Sequence, residues 1–270
     1  LGSHIGSKEY MELQMNKILD DWKIVKDKIV QYPKAQLRMM LFRFCFCSKP
    51  IHILRTVPPK FTKDLVAKFV LMQKEILESM FMQKIDDVLM DLLRLPIDEG
   101  GVGMLNYNDI HGIAHTASIM GSDTFSNLFL RNLEEGNDLN GADYGDFGDD
   151  LFNTNFQELK VYMRLNNEAH TSDVIGELNR LKKKSIKDKV TFQSALYLLK
   201  NEERKRGMEE RLTLSDPSLK QVINYRNTLN QSSGMWLRSA GRYEQFRLSN
   251  NEFCIGLCLR YGLKIPIIQE

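Results

Sequence analysis

From Lys8 to Val30 the apolar residues Met11, Met15, Ile18, Leu19, Trp22, Val25 and Ile29 recur at spacings of three and four. That period lines up one stripe of an α-helix, so the chain opens with an amphipathic helix that needs a partner. The same period returns in stretch after stretch. Tyr32-Pro33 interrupts it, and Pro33 suits the first position of a second helix, where a fixed φ helps and a missing N–H costs nothing. That helix, Lys34 to about Cys47, is expected to bury Leu37, Met40, Leu41, Phe44 and Cys45. It is apolar over most of its circumference near its end, which places it centrally.

Ser48-Lys49-Pro50 stops the second helix, and Pro58-Pro59 forbids helix through its neighbourhood. Thr62 is expected to cap a long helix from near Lys63 to about Gln83, with Leu65, Phe69, Met72, Ile76 and Met80 as its stripe. Ile85 to Leu95 reads as another helix, ended by Pro96. Asn108 then caps Asp109 to Met120, with Gly121 as the stop. Ser126 to Leu133 is a short apolar piece, and Asn153 to Asn166 contains a short helix. Ser172 or Asp173 caps Val174 to about Lys184, Phe192, Leu196 and Leu199 supply the buried side of the next helix, and Leu214-Ser215-Asp216-Pro217 starts a further one.

Near the end Ser249 and Glu252 form a capping box. Phe253, Ile255, Leu257 and Leu259 follow as the apolar run, and Gly262 with Pro266 beyond it ends the helix. Strand signals are weak throughout. The predicted fold class is all-α, an irregular multi-helix bundle of about ten helices in two subdomains.

The expected boundaries follow composition. Residues 1–7, Leu-Gly-Ser-His-Ile-Gly-Ser, read as a cloning remnant. Residues 8–133 form an N-terminal helical subdomain. Residues 134–150 hold seven carboxylates, four glycines and no Lys or Arg, the pattern of an acidic, flexible loop. Residues 151–270 form a C-terminal helical subdomain. A net charge of +2 over 270 residues says little about partners. No apolar run approaches ~20 residues, so no membrane span is expected. No signal peptide is visible, and four cysteines are few, which suits a reducing interior, nucleus or cytoplasm.

Several patterns imitate chemistry. Cys45 and Cys47, with Cys254 and Cys258, invite a zinc reading, but neither spacing fits a zinc knuckle and Cys packs as a small hydrophobe. Gly100-Gly101-Val102-Gly103 lacks the Lys-Ser/Thr of a phosphate-binding loop and a preceding strand, so it reads as a turn needing positive φ or close backbone approach. His111 and His115 are four apart, without the Glu or third ligand of a zinc protease. Phe147-Gly148-Asp149-Asp150 mimics a polymerase metal motif without its flanking strands. No catalytic residue, metal ligand or cofactor site is predicted, and no activity is expected of this chain alone.

What remains is positive charge interleaved with aromatics. The candidate nucleic-acid-binding residues are Lys182, Lys183 and Lys184, then Arg204, Lys205 and Arg206, then Trp236, Arg238, Arg242, Tyr243 and Arg247. Lysines and arginines neutralise phosphates independently of sequence, and Trp236 and Tyr243 can stack on exposed bases. The bland alternatives are a solvated helical face with pairs such as Glu202 with Arg206, and core packing of the aromatics. A rival function is a helical protein-interaction or scaffold domain, built on a Met-rich patch of Met80, Met82 and Met90.

Four segments in order carry a resemblance. They are Leu41 to Pro59 with Ile53-Leu54-Arg55-Thr56-Val57-Pro58-Pro59; Leu95-Pro96-Ile97 with Gly100-Gly101-Val102-Gly103-Met104; Ala114 to Ser118; and Phe253, Leu257 and Leu259-Arg260-Tyr261-Gly262-Leu263. Together they resemble the region after the polymerase core in non-LTR-retrotransposon-like reverse transcriptases. The resemblance covers about residues 10 to 265 and implies a helical thumb and post-thumb linker of an RNA-directed DNA polymerase. It implies no palm, hence no polymerase metal site, and a chain that is a fragment or a relic. The implied partners are nucleic acid, DNA or RNA, and other parts of the parent protein. The acidic stretch 134–150 has no counterpart in that pattern.

Overall fold

The computed structural model describes residues 7–121, 171–213, 225–226, 228–229, 234–238 and 247–266. Every regular element among them is helical, so the fold is all-α. We number the α-helices α1 Lys8–Gln31, α2 Ala35–Met40, α3 Ile51–Thr56, α4 Pro59–Phe81, α5 Asp87–Leu93, α6 Tyr107–Gly121, α7 Thr171–Lys187, α8 Phe192–Thr213, α9 Met235–Arg238 and α10 Asn250–Tyr261. A π-helical turn, Leu41–Phe46, continues α2, and a 3-10 turn spans Ile97–Glu99. The expected acidic loop at 134–150, the pieces 126–133 and 153–166, and the start at 214–217 lie outside the described residues.

The chain forms two compact units. One takes in residues 1–15, 50–66 and 107–203, the other 16–49, 67–106 and 204–270. In the first, α3 packs on α6. Leu54 is fully buried on α3, and Ile110, Ile113 and Ala114 are buried on α6. His111 and His115 share α6 but have different surroundings. The His111 ring meets the Pro59 carbonyl at 2.9 Å, while His115 is buried. Burial, then the neighbouring His111, pushes the His115 pKa down to about 4.

In the second unit an aromatic stack runs through the core. Phe42 lies 6.4 Å from Phe46, Phe46 lies 4.8 Å from Phe69, and Trp22 meets Phe69 edge-on at 5.0 Å. Pairs of this kind add about 0.5–1.5 kcal/mol each beyond their buried area.

The second helix departs from expectation at both ends. Pro33 lies before it, with Lys34 at the N-cap and no capping side chain of its own. The cap comes from α10, as described below. The buried residues are Ala35, Gln36, Met39, Phe42, Phe46 and Cys47, not Leu37, Met40, Leu41, Phe44 and Cys45. Leu37, Met40 and Leu41 are half-buried, and Phe44 and Cys45 are exposed. A segment apolar around its whole circumference has two candidate faces, and its period cannot choose between them. The π-turn, closed by the Cys47 N–H on the Phe42 carbonyl at 2.9 Å, turns Phe44 and Cys45 away from the core.

Helices also approach the double proline more closely than expected. Val57 is extended, as a residue before proline must be, but α3 runs up to Thr56 and Pro59 itself opens α4. Thr62 is therefore not a cap. It is fully buried inside α4, its hydroxyl donating to the Pro59 carbonyl at 3.3 Å. Likewise α6 starts at Tyr107, one residue before the expected cap.

The glycine loop is a tight turn. Gly100 has φ of 94° and Gly103 of 70°, the left-handed region that a Cβ disfavours. At Gly101 a Cβ would fall 1.9 Å from the Leu95 carbonyl oxygen. Arg260 holds the turn by donating to the Ile97 carbonyl at 3.2 Å.

Helix α10 has the expected ends. The Ser249 N–H donates to Glu252 at 2.7 Å, and the Glu252 N–H donates to the Ser249 hydroxyl at 3.2 Å. Gly262 closes it in the left-handed conformation, with the Leu263 N–H on the Cys258 carbonyl at 2.8 Å. Its buried face is Phe253, Cys254, Leu257, Cys258 and Tyr261, with Leu259 61% exposed. The cysteines, at helical spacing, replace Ile255 and Leu259 on that face.

Candidate nucleic-acid interface

Helix α7 is built to show one charged face. Leu178 and Ser185 are buried and lie close to one line along the helix, the Ser185 hydroxyl donating to the Lys182 carbonyl at 2.8 Å. Opposite them, Arg180, Lys183, Lys184 and Lys187 fall at i, i+3, i+4 and i+7, a stripe about 10 Å long at 1.5 Å per residue. Lys189 extends the stripe past the helix end. It takes φ of 56°, the position glycine usually holds, and the Val190 N–H closes on the Ser185 carbonyl at 3.0 Å. Cations here are also favoured by the negative end of the helix dipole.

The decisive difference between the basic clusters is pairing. Arg180 is held by Glu177 at 2.7 Å. Lys183, Lys184, Lys187 and Lys189 are exposed and have no ion-pair partner among the described residues. Lys182, predicted with them, is half-buried.

The cluster on α8 differs. Lys205 pairs with Glu99 at 3.7 Å and Arg206 with Glu210 at 3.9 Å. Arg206 thus takes Glu210 where Glu202 was expected. Arg204 is half-buried, and burial together with the nearby Arg94 charge lowers its pKa to about 10. Asp91 meets Arg94 at 3.0 Å and Arg211 at 3.6 Å. This is a cross-linked surface in which acidic side chains already occupy much of the positive charge.

Trp236 packs edge-on against Phe253 with ring centroids 5.4 Å apart, and it covers Gly256 so closely that a Cβ there would touch the ring at 3.4 Å. Its half-buried ring is committed to α10. Arg247 is exposed. The Arg238 side chain, Arg242 and Tyr243 lie outside the described residues. The structure places Lys182, Lys183 and Lys184 in one unit and the other described candidates in the second.

Lys187 and Lys189, which were not among the candidate residues of the sequence reading, share the exposed α7 stripe. Lys187 stands four after Lys183 and three after Lys184, so the helical period carried the signal. The run Lys182-Lys183-Lys184 drew attention to adjacency instead, although adjacent residues on a helix point in different directions.

The rival surface changes too. Met80 is fully buried and Met90 is 3% exposed, leaving only Met82 of the expected Met-rich patch at the surface. Both belong to the core because the stripes of α4 and α5 point inward there. Among the described residues no group of three or more His, Cys, Asp or Glu side chains is placed to hold a metal, and no helix is long and apolar enough to cross a membrane. Phe147 to Asp150 lie outside those residues. In comparisons with known proteins, no family model, curated protein or solved structure matches this chain.

Proposed function

We propose that this chain is a non-catalytic, helical segment of a reverse-transcriptase-like protein that binds nucleic acid, DNA or RNA, through its phosphate backbone without reading sequence. The observation that carries the reading is the α7 stripe, where Lys183, Lys184, Lys187 and Lys189 are exposed and carry no carboxylate partner among the described residues. Lysines left unpaired in this way exchange condensed counterions for phosphates, and that exchange is the source of sequence-independent affinity. The four segments that resemble the thumb and linker of reverse transcriptases supply the context, and on this reading the protein works in the nucleus or cytoplasm.

Binding of a labelled duplex, followed by fluorescence anisotropy across a salt series, tests this. Affinity is expected to fall steeply between about 50 mM and 200 mM salt. The combined variant Lys183→Glu, Lys184→Glu, Lys187→Glu should flatten the log–log slope by about 2–3, close to 0.9 per lost phosphate contact. Absence of binding at low salt would sink the reading.

A further inference from the structure

Phe44 is the most exposed aromatic side chain among the described residues, at 63%. It stands in the π-helical turn, whose wider ring turns it outward while Phe42 and Phe46 on either side stay fully buried. The Ser48 hydroxyl lies 3.1 Å from both the Phe44 and the Cys45 carbonyls and donates to them, closing the end of the turn. Arg43 has its guanidinium carbon 5.1 Å from the Phe44 ring centroid, and it donates to the Leu237 carbonyl at 3.2 Å. The ring is thus presented on a packed base beside an anchored cation.

The electrostatic setting is one-sided. From Lys28 to Lys49 the sequence holds five cations, Lys28, Lys34, Arg38, Arg43 and Lys49, and no Asp or Glu. A stretch with this charge balance, in which Lys28 and Lys34 are exposed, favours a polyanion. An exposed ring within that stretch, with the Arg43 guanidinium beside it, favours a polyanion that also carries flat, unstacked rings, and single-stranded nucleic acid is that ligand. In a duplex the bases are stacked inside and cannot reach Phe44.

We infer that Phe44 is a base-stacking residue of a single-strand nucleic-acid site, with Arg43 positioning its ring and the 28–49 cations holding the backbone. This rests on nucleic acid being the ligand, as proposed above, but it uses a different surface from the α7 stripe. It also moves the stacking role away from Trp236, whose ring is engaged by Phe253.

The test titrates labelled oligothymidine, oligouridine and a matched duplex into the full chain and into three variants: Phe44→Ala, Phe44→Trp and the charge-reversed α7 triple. Phe44→Ala should leave the fold intact by circular dichroism and weaken both single strands by roughly 5- to 150-fold, the loss of one base–aromatic stack. Phe44→Trp should retain that affinity, and duplex binding should stay at the wild-type level in both. If Phe44→Ala binds single strands like wild type while the α7 triple loses affinity, the stacking site is wrong and the phosphate-backbone reading survives. If no variant and no wild-type sample binds any oligonucleotide, both fall. If polyglutamate binds wild type as tightly as oligothymidine does and Phe44→Ala weakens both equally, the surface is an acidic-protein site and the inference is overturned.

Discussion

The side chain of Asn250 caps a helix that begins 215 residues earlier. Its oxygen accepts the Ala35 N–H at 2.7 Å, and its amide nitrogen donates to the Pro33 carbonyl at 2.6 Å. Nearby, the Gln36 side chain returns the contact by accepting the Leu248 N–H at 3.3 Å. The N-terminus of α2 is therefore satisfied from α10, which carries its own capping box, and Lys34, which cannot cap, needs no help from its own side chain. Asn250→Ala should cost about 1–2 kcal/mol, the usual loss for a capping Asn. Asn250→Asp keeps the acceptor for Ala35 and should recover part of that. Urea midpoints at constant slope measure both.

His115 makes stability depend on pH. Its folded pKa is depressed from 6.5 to about 4 by burial and by His111. Between those values the unfolded chain binds a proton that the folded chain refuses, so stability rises with pH across this window. The contribution is whole above pH 6.5 and is lost as pH falls toward 4, amounting to at most about 3 kcal/mol. His115→Leu should flatten that part of the profile, and urea unfolding at stepped pH reads the difference.

Three glycines separate strain from waste. Gly101→Ala drives a Cβ into the Leu95 carbonyl and should cost at least about 1–3 kcal/mol, since the nearest atoms are backbone. Gly176 on α7 and Gly207 on α8 have nothing within 4 Å of a built Cβ. Alanine at either should stabilise by about 0.5–1 kcal/mol. Thermal midpoints of the three single variants should thus move in opposite directions.

The cysteines should titrate one against three. Cys45 is exposed, while Cys47, Cys254 and Cys258 are buried. Burial pushes the Cys47 thiol up to about 12, against the hydrogen bond it accepts from Gln73 at 3.2 Å, and burial raises the other two thiols. A thiol-reactive chromophore should read one fast equivalent in the native chain and four in denaturant. A second fast equivalent in the native protein would contradict the burial of the α10 face.

Much of the helical architecture was legible without coordinates. The three-and-four period located α1 and α4, the Asn108 and Gly121 signals located α6 to within a residue or two, and the Ser249–Glu252 box and Gly262 marked both ends of α10, because helix formation and capping act over a few residues. The glycine loop was read as a tight turn for the same local reason. The basic residues were visible as a list, but their availability was not. Lys205 and Arg206 are paired with Glu99 and Glu210, while Lys183 and Lys184 carry no such pair among the described residues, and a sequence of mixed charges does not say who meets whom.

By itself, then, the sequence determined that this protein is helical, roughly where its long helices run and where α10 starts and stops, since those choices rest on backbone hydrogen bonds within one turn and on side-chain period. Only the tertiary structure decided which face of the apolar α2 segment is buried, that Asn250 rather than Pro33 serves the start of that helix, and that Phe44 points outward. Burial depends on partners in other helices, such as Phe69 for Phe46, and the cap on a side chain 215 residues away along the chain, and no local period encodes either.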